Sequence, residues 1–192
     1  MIEVEKKFSL RSEDIPGLIA DSQFISEQTF TDSYLDTPDF LLTLQNKWLR
    51  LRDNNFQFKF PSAGYPGQFS DLDLDEQIKK AVGIISADPL YTALKKHGFQ
   101  EFCRMVTRRK KYRKDSFIID IDQMDFGYVL GEIELVVDYE SLVPAALDKI
   151  KAYAQEKDLI LLPVRVKIFE YLKRNNQNLY QKLVASGIVQ QS

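Results

Sequence analysis

Ile2-Glu3-Val4-Glu5-Lys6-Lys7-Phe8 sets two carboxylates and one ammonium at every second residue, with apolar residues recurring between them. Successive side chains of a β-strand point to opposite faces, so the stretch predicts a strand with Glu3, Glu5 and Lys7 on one face and Ile2, Val4 and Phe8 on the other. One such strand fits any sheet with a wet face and a dry face. The reading is decided by whether the rest of the chain repeats the pattern.

It does so several times. Gln23 to Leu35 is rich in β-formers and ends at the turn Asp36-Thr37-Pro38. Lys47 to Asp53 places Trp48, Arg50 and Arg52 opposite Leu49 and Leu51, and Asp53-Asn54-Asn55 predicts a hairpin into Phe56 to Phe60, where Lys59 lies opposite three phenylalanines. A loop over Pro61 to Gly67 precedes a strand at Phe69 to Leu74. Phe102 to Tyr112 is a basic strand with Arg104, Arg108, Arg109, Lys110 and Lys111, and Ser116 to Asp122 alternates Ile119 and Ile121 with Asp120 and Asp122. Phe126-Gly127-Tyr128 turns the chain into Val129 to Val137, with Glu132 and Glu134 on the face opposite Ile133, Leu135 and Val137.

Helices are predicted between the strands. A short one runs through Ile15, Leu18 and Ile19 with Pro16 in its first turn, a second covers Asp75 to Val82, and a third starts at Asp88 as N-cap and ends near Gly98. Ser141 to Lys157 is amphipathic, with Leu142, Ala146, Ile150 and Tyr153 in one stripe, and two more follow near Arg165 to Arg174 and Gln177 to Ala185. No repeat, low-complexity tract or linker interrupts residues 1–192, which read as a single domain.

Composition narrows the function classes. With 44% hydrophobic and 28% charged residues the chain is an ordinary globular protein, and 26 basic against 28 acidic side chains disfavour a nucleic-acid partner on global charge. The longest apolar run, Leu159 to Leu162, is too short to span a bilayer, and the acidic N-terminus is neither a signal nor a transit peptide, so no membrane and a cytoplasmic location are expected. One cysteine, Cys103, and one histidine, His97, leave no internal disulfide and no His/Cys zinc site; both are read as structural. Any metal must be held mainly by oxygen.

Strands with charges on one face suit either an open sheet that shows its charges to solvent or a barrel that turns them inward. Segregation of sign favours the barrel: Arg50, Arg52 and Lys59 cluster on consecutive strands, while Glu3, Glu5, Asp120, Glu132 and Glu134 lie on others. Facing carboxylates repel unless a dication such as Mg²⁺ or Mn²⁺ lies between them, and arginine and lysine are the natural partners of phosphate oxygens. A substrate of several linked phosphates with its metal satisfies both sets at once.

In chain order, Glu3-x-Glu5-x-Lys7, Asp32-Ser33-Tyr34, Trp48-Leu49-Arg50-Leu51-Arg52, Lys59, Thr107-Arg108-Arg109, Asp120-Ile121-Asp122, Asp125-Phe126-Gly127-Tyr128, Gly131-Glu132-Ile133-Glu134, Pro144-Ala145-Ala146-Leu147 and Lys167 resemble the thiamine triphosphatase branch of the CYTH, or triphosphate tunnel, family. The chain departs at Leu35, where a second tyrosine is expected. The resemblance implies an α+β fold: a closed eight-stranded antiparallel β-barrel, the triphosphate tunnel, surrounded by helices. It implies Lys7, Arg50, Arg52, Lys59, Arg109 and Lys167 around the triphosphate. Glu5, Asp120, Glu132 and Glu134 then hold Mg²⁺, or Mn²⁺ in its place, with Glu3 beside them. The resemblance also implies Tyr34, next to Lys7, as a candidate to help activate or orient the attacking water. Trp48 shares a strand face with Arg50, where its indole suits the cationic thiazolium.

The activity so implied is Mg²⁺-dependent hydrolysis of thiamine triphosphate to thiamine diphosphate and phosphate by a monomer whose partner is that small molecule. The alternatives are a general inorganic triphosphatase or nucleoside triphosphatase on the same fold, and a non-catalytic polyphosphate-binding module, which the full set of carboxylates disfavours. A class IV adenylyl cyclase is disfavoured by the thiamine-branch phrases.

Overall fold

The structure is a computed structural model that describes residues 2–62, 69–159 and 166–189. Along them run β1 Ile2–Ser9, α1 Ile15–Leu18, β2 Gln23–Asp36, β3 Trp48–Arg52, β4 Asn55–Pro61, β5 Phe69–Leu72, α2 Asp75–Ala81, α3 Leu90–Lys96, β6 Gln100–Lys114, β7 Phe117–Met124, β8 Val129–Val137, α4 Val143–Glu156, α5 Lys167–Asn175 and α6 Gln177–Ala185. The strands form one sheet in the order β1-β8-β7-β6-β2-β3-β4-β5. Neighbours pair antiparallel, as in β1 with β8 and β3 with β4.

The α+β architecture with an eight-stranded antiparallel sheet is the one that the resemblance implies, but the expected closure is absent among the described residues. A closed barrel needs its first and last strands to pair. Here the ladder ends at β1 and at β5, with no pairing between them among the described residues. Alternation reveals which face of a strand is wet, whereas closure depends on a hydrogen-bonded partner for the last edge. That last edge is β5, only four residues long.

The described residues form two compact units, the first of residues 2–29, 107–159 and 166–170, the second of 30–62, 69–106 and 171–189; β2 and β6 contribute to both. In the first, Val4 and Phe8 from β1, Ile119 and Ile121 from β7, and Ile133 and Leu135 from β8 pack with Ala146, Ile150 and Tyr153 from α4. These are the dry-face residues of the alternating strands and the stripe of the amphipathic helix. Leu142, expected in that stripe, is instead exposed, because α4 starts at Val143 and residues 140–142 form a 3-10 turn. Gly127 makes the β7–β8 turn with a positive φ of 78°, a backbone shape that glycine adopts without strain. In the second unit Leu49, Phe58, Ile78, Leu90 and Leu94 centre the core.

Two further local expectations need correction. Asp88 does not cap α3: Pro89 occupies the N-cap, while the Asp88 carboxylate accepts from Lys96 Nζ at 2.7 Å and Ser86 Oγ at 3.1 Å, the ammonium being the stronger attraction. The strand expected at Phe69 to Leu74 stops at Leu72, and Leu74 is the N-cap of α2. The Pro61 to Gly67 loop from residue 63 onward, and the predicted helix start at Arg165, lie outside the described residues. Among the described residues no helix is long and apolar enough to cross a membrane.

Candidate active site

The first unit carries most of the predicted charge. Its registers oppose Lys7 to Glu132, Glu132 to Asp120, and Asp120 to Lys111, so one row crosses β1, β8, β7 and β6. Residues directly opposite in antiparallel strands share a sheet face, with Cβ atoms about 4.5–5.5 Å apart. The period of two that buries Val4 and Phe8 therefore also assembles this row.

The contacts follow the row. Lys7 Nζ lies 3.1 Å from Glu132 Oε1 and also donates to Glu5. Arg109 donates Nε–H and Nη2–H to Asp122 at 2.6 and 2.7 Å, reaches Glu132 Oε2 at 3.1 Å, and sets Nη1 2.8 Å from Asp120 Oδ2. Lys111 Nζ is 3.1 Å from Asp120 Oδ1.

Ionisation reflects these neighbours. Burial works against the charge on Lys7, yet Glu132 and Glu5 hold its pKa above the ordinary lysine value. Burial likewise opposes ionised Glu132, and Lys7 and Arg109 still bring its pKa below the usual carboxylate value. Arg109 is buried too, but Asp122, Glu132 and Asp120 raise its pKa further. Asp120 goes the other way: burial lifts its pKa although Arg109 and Lys111 pull it down. Glu134 is raised by burial first and then by Glu3, with Asp120 and Glu5 adding to the repulsion.

That last cluster bears on the metal. Glu134 lies directly opposite Glu5 across β1 and β8, and like charges so placed destabilise a strand pair. A dication relieves this, and an all-oxygen donor set is what Mg²⁺ takes. The donors fit in kind, although no three converge closely enough to form a ready-made cage among the described residues.

The second unit holds the other predicted cations. Asp32 opposes Arg52, Tyr34 opposes Arg50, and Trp48 opposes Lys59, which in turn opposes Asp71. Arg52 donates Nε–H and Nη2–H to Asp32 at 2.7 and 2.9 Å, with its guanidinium 4.1 Å from the Phe30 ring centroid. Arg50 donates Nε–H to Gln57 at 2.8 Å and lies 3.8 Å from Asp32. Lys59 pairs with Asp71 at 3.0 Å. Burial pushes the Tyr34 phenol up to about 12, even with Arg50 drawing it down. Trp48, only 6% exposed, meets Tyr34 edge to face at 6.3 Å and donates Nε1–H to Asn46 at 3.0 Å.

The structure thus brings Lys7, Glu5, Asp120, Glu132 and Arg109 into one network, with Glu3 and Glu134 acting on it. Lys167, the first residue of α5, contributes to holding the Glu132 pKa down. Tyr34, Trp48, Arg50, Arg52 and Lys59 form a separate set in the other unit. His97 Nδ1 lies 2.8 Å from the Ala93 carbonyl at the end of α3, and Cys103 is buried. Three charged partners lie outside the predicted site set: Lys111, Asp32 and Asp122, the last of which is 1% exposed rather than an exposed strand acid. Parity was the available signal, since each lies two residues from a chosen one: Arg109, Tyr34 and Asp120.

Comparison with known proteins extends the same pattern. The CYTH domain pattern matches residues 1–160. Thiamine-triphosphatases of Macaca fascicularis and Homo sapiens are each 29% identical over 96% of this chain and 90% of their own. A solved Pyrococcus horikoshii protein superposes with a TM-score of 0.65 at 20% identity, covering 91% of this chain and all of that one. A family pattern that spans both units, together with the charge row on β1, β6, β7 and β8, makes this chain a member of the CYTH family.

Proposed function

We propose that this protein hydrolyses triphosphates, and specifically that it converts thiamine triphosphate to thiamine diphosphate and phosphate with Mg²⁺. The observation that carries the reading is the row Lys7–Glu132–Asp120–Lys111. Two carboxylates flanked by two ammonium groups suit a polyanion that arrives with a dication. The 29% identity to thiamine-triphosphatases supports the substrate class.

In this reading Arg50, Arg52, Lys59, Arg109 and Lys167 take phosphate oxygens, the arginines as planar forks. Glu5, Asp120, Glu132 and Glu134 hold the metal, with Glu3 beside them; when bound, Mg²⁺ neutralises charge on the reacting phosphate. Lys7 keeps its proton through the neutral range and orients the terminal phosphate. Tyr34 also stays protonated there, so it acts as a hydroxyl that orients water rather than as a base. The test is phosphate release from thiamine triphosphate, tripolyphosphate and ATP in parallel with Mg²⁺. Preference for thiamine triphosphate supports the reading, and no release from any of the three overturns it.

A second reading, a general inorganic triphosphatase, is favoured by the burial of Trp48, which leaves little indole for a ring to meet. Trp48→Ala separates the two. If the indole holds the thiazolium, KM for thiamine triphosphate rises by about two- to thirtyfold, corresponding to roughly 0.5–2 kcal/mol, while tripolyphosphate is unaffected. Equal losses on both substrates make Trp48 structural and leave the general activity as the better reading.

A further inference from the structure

We infer that Asp122 and Asp32 are positioning residues for triphosphate binding, each gripping one edge of an arginine and so fixing where the rest of its guanidinium lies. The inference rests on the triphosphatase reading and assigns work to two carboxylates outside its metal and phosphate sets.

The same geometry occurs independently in the two units. Arg109 gives Nε–H and Nη2–H to the two oxygens of Asp122 at 2.6 and 2.7 Å, and Arg52 gives the same two groups to the two oxygens of Asp32 at 2.7 and 2.9 Å. In both cases the partners are directly opposed on adjacent antiparallel strands. The carboxylates are buried, with side chains 1% and 0% exposed, while the arginines keep 23% and 26%. Each acid is therefore more deeply buried than the arginine that it holds. Because the Nε edge is used for holding, Nη1 and the second Nη2 hydrogen point elsewhere. On Arg109 they reach Asp120 and Glu132, the proposed metal carboxylates. On Arg52 the guanidinium carbon also lies over the Phe30 ring, 4.1 Å from its centroid.

A bidentate grip matters because a phosphate clamp works only when its donors are already aimed, and loss of about 1 Å in placement costs up to roughly a hundredfold. Electrostatics alone makes the opposite prediction. Removing a buried negative charge near a bound polyanion strengthens binding, so the sign of the effect distinguishes a positioning acid from a mere charge.

The experiment measures binding of imidotriphosphate, whose bridges are not hydrolysed, to the whole protein with Mg²⁺ by calorimetry, alongside thermal unfolding and steady-state hydrolysis. Asp122→Asn keeps the size of the side chain but turns an amide donor toward a guanidinium donor. It is expected to weaken binding by about tenfold or more, with KM rising further than kcat falls. In an Arg109→Lys background, which has no planar edge to hold, the same substitution costs at least about threefold less. Asp32→Asn with Arg52→Lys forms a second cycle with the same expectation, and it decides the matter should Asp122→Asn fail to fold. Tighter or unchanged binding in folded Asn variants overturns the inference, as does a loss of equal size in the Lys backgrounds, which marks a purely structural acid. A parent protein that neither binds imidotriphosphate nor hydrolyses tripolyphosphate overturns the triphosphatase reading and the inference with it.

Discussion

Glu134→Gln is expected to reduce Mg²⁺-supported phosphate release by about a hundredfold or more, since even groups that only support metal ligands cost 10- to 100-fold when removed. The fold is expected to survive. Glu134 lies opposite Glu5, and its pKa is raised by burial and by Glu3. A carboxyl whose folded pKa exceeds its unfolded one costs stability as pH rises from the unfolded value through the folded one, and at neutral pH that cost is complete. Gln removes it, so the melting temperature of the variant at pH 7 should match or exceed that of the parent, with the difference vanishing in acid. Turnover measured across a Mg²⁺ titration, with thermal melts at pH 7 and pH 4, checks both halves. Undiminished activity with an unchanged Mg²⁺ dependence in a folded variant removes Glu134 from the metal site.

Arg52→Lys is the second large effect. Asp32 is wholly buried and receives two hydrogen bonds from the Arg52 guanidinium. An ammonium is a point charge that cannot reproduce this fork. Binding of every triphosphate should weaken together, by roughly ten- to a hundredfold for one misplaced clamp, because phosphate and not the attached group is what the arginine meets. Parallel KM measurements on thiamine triphosphate, tripolyphosphate and ATP test this. Tripolyphosphate binding as tight as in the parent returns Arg52 to the role of a strand-pairing residue.

The registers explain why so much of the site could be read from the chain. Glu3, Glu5 and Lys7 had to share a face because a strand has period two, and Glu132 with Glu134 and Asp120 with Asp122 followed the same rule. What period two does not contain is the identity of the neighbour. That Asp122 holds Arg109, and Asp32 holds Arg52, depends on the strand offset, and a slip of one residue would exchange every pair. Asp122 therefore read only as one more acid on an alternating strand. Trp48 shows the same gap: its face was legible, but its burial and its bond to Asn46 were not.

Local chemistry along the chain determined the strands, their wet and dry faces, the amphipathic α4 and the two kinds of charge, because all of these follow from side-chain order and backbone period alone. The tertiary structure decided the strand order, the open ends at β1 and β5, the row from Lys7 to Lys111, and the raised pKa values of Glu134 and Tyr34. Those depend on which residues far apart in sequence become neighbours and how much water is left between them. Pairing offset and burial set both quantities, and neither is a property of any single stretch of chain.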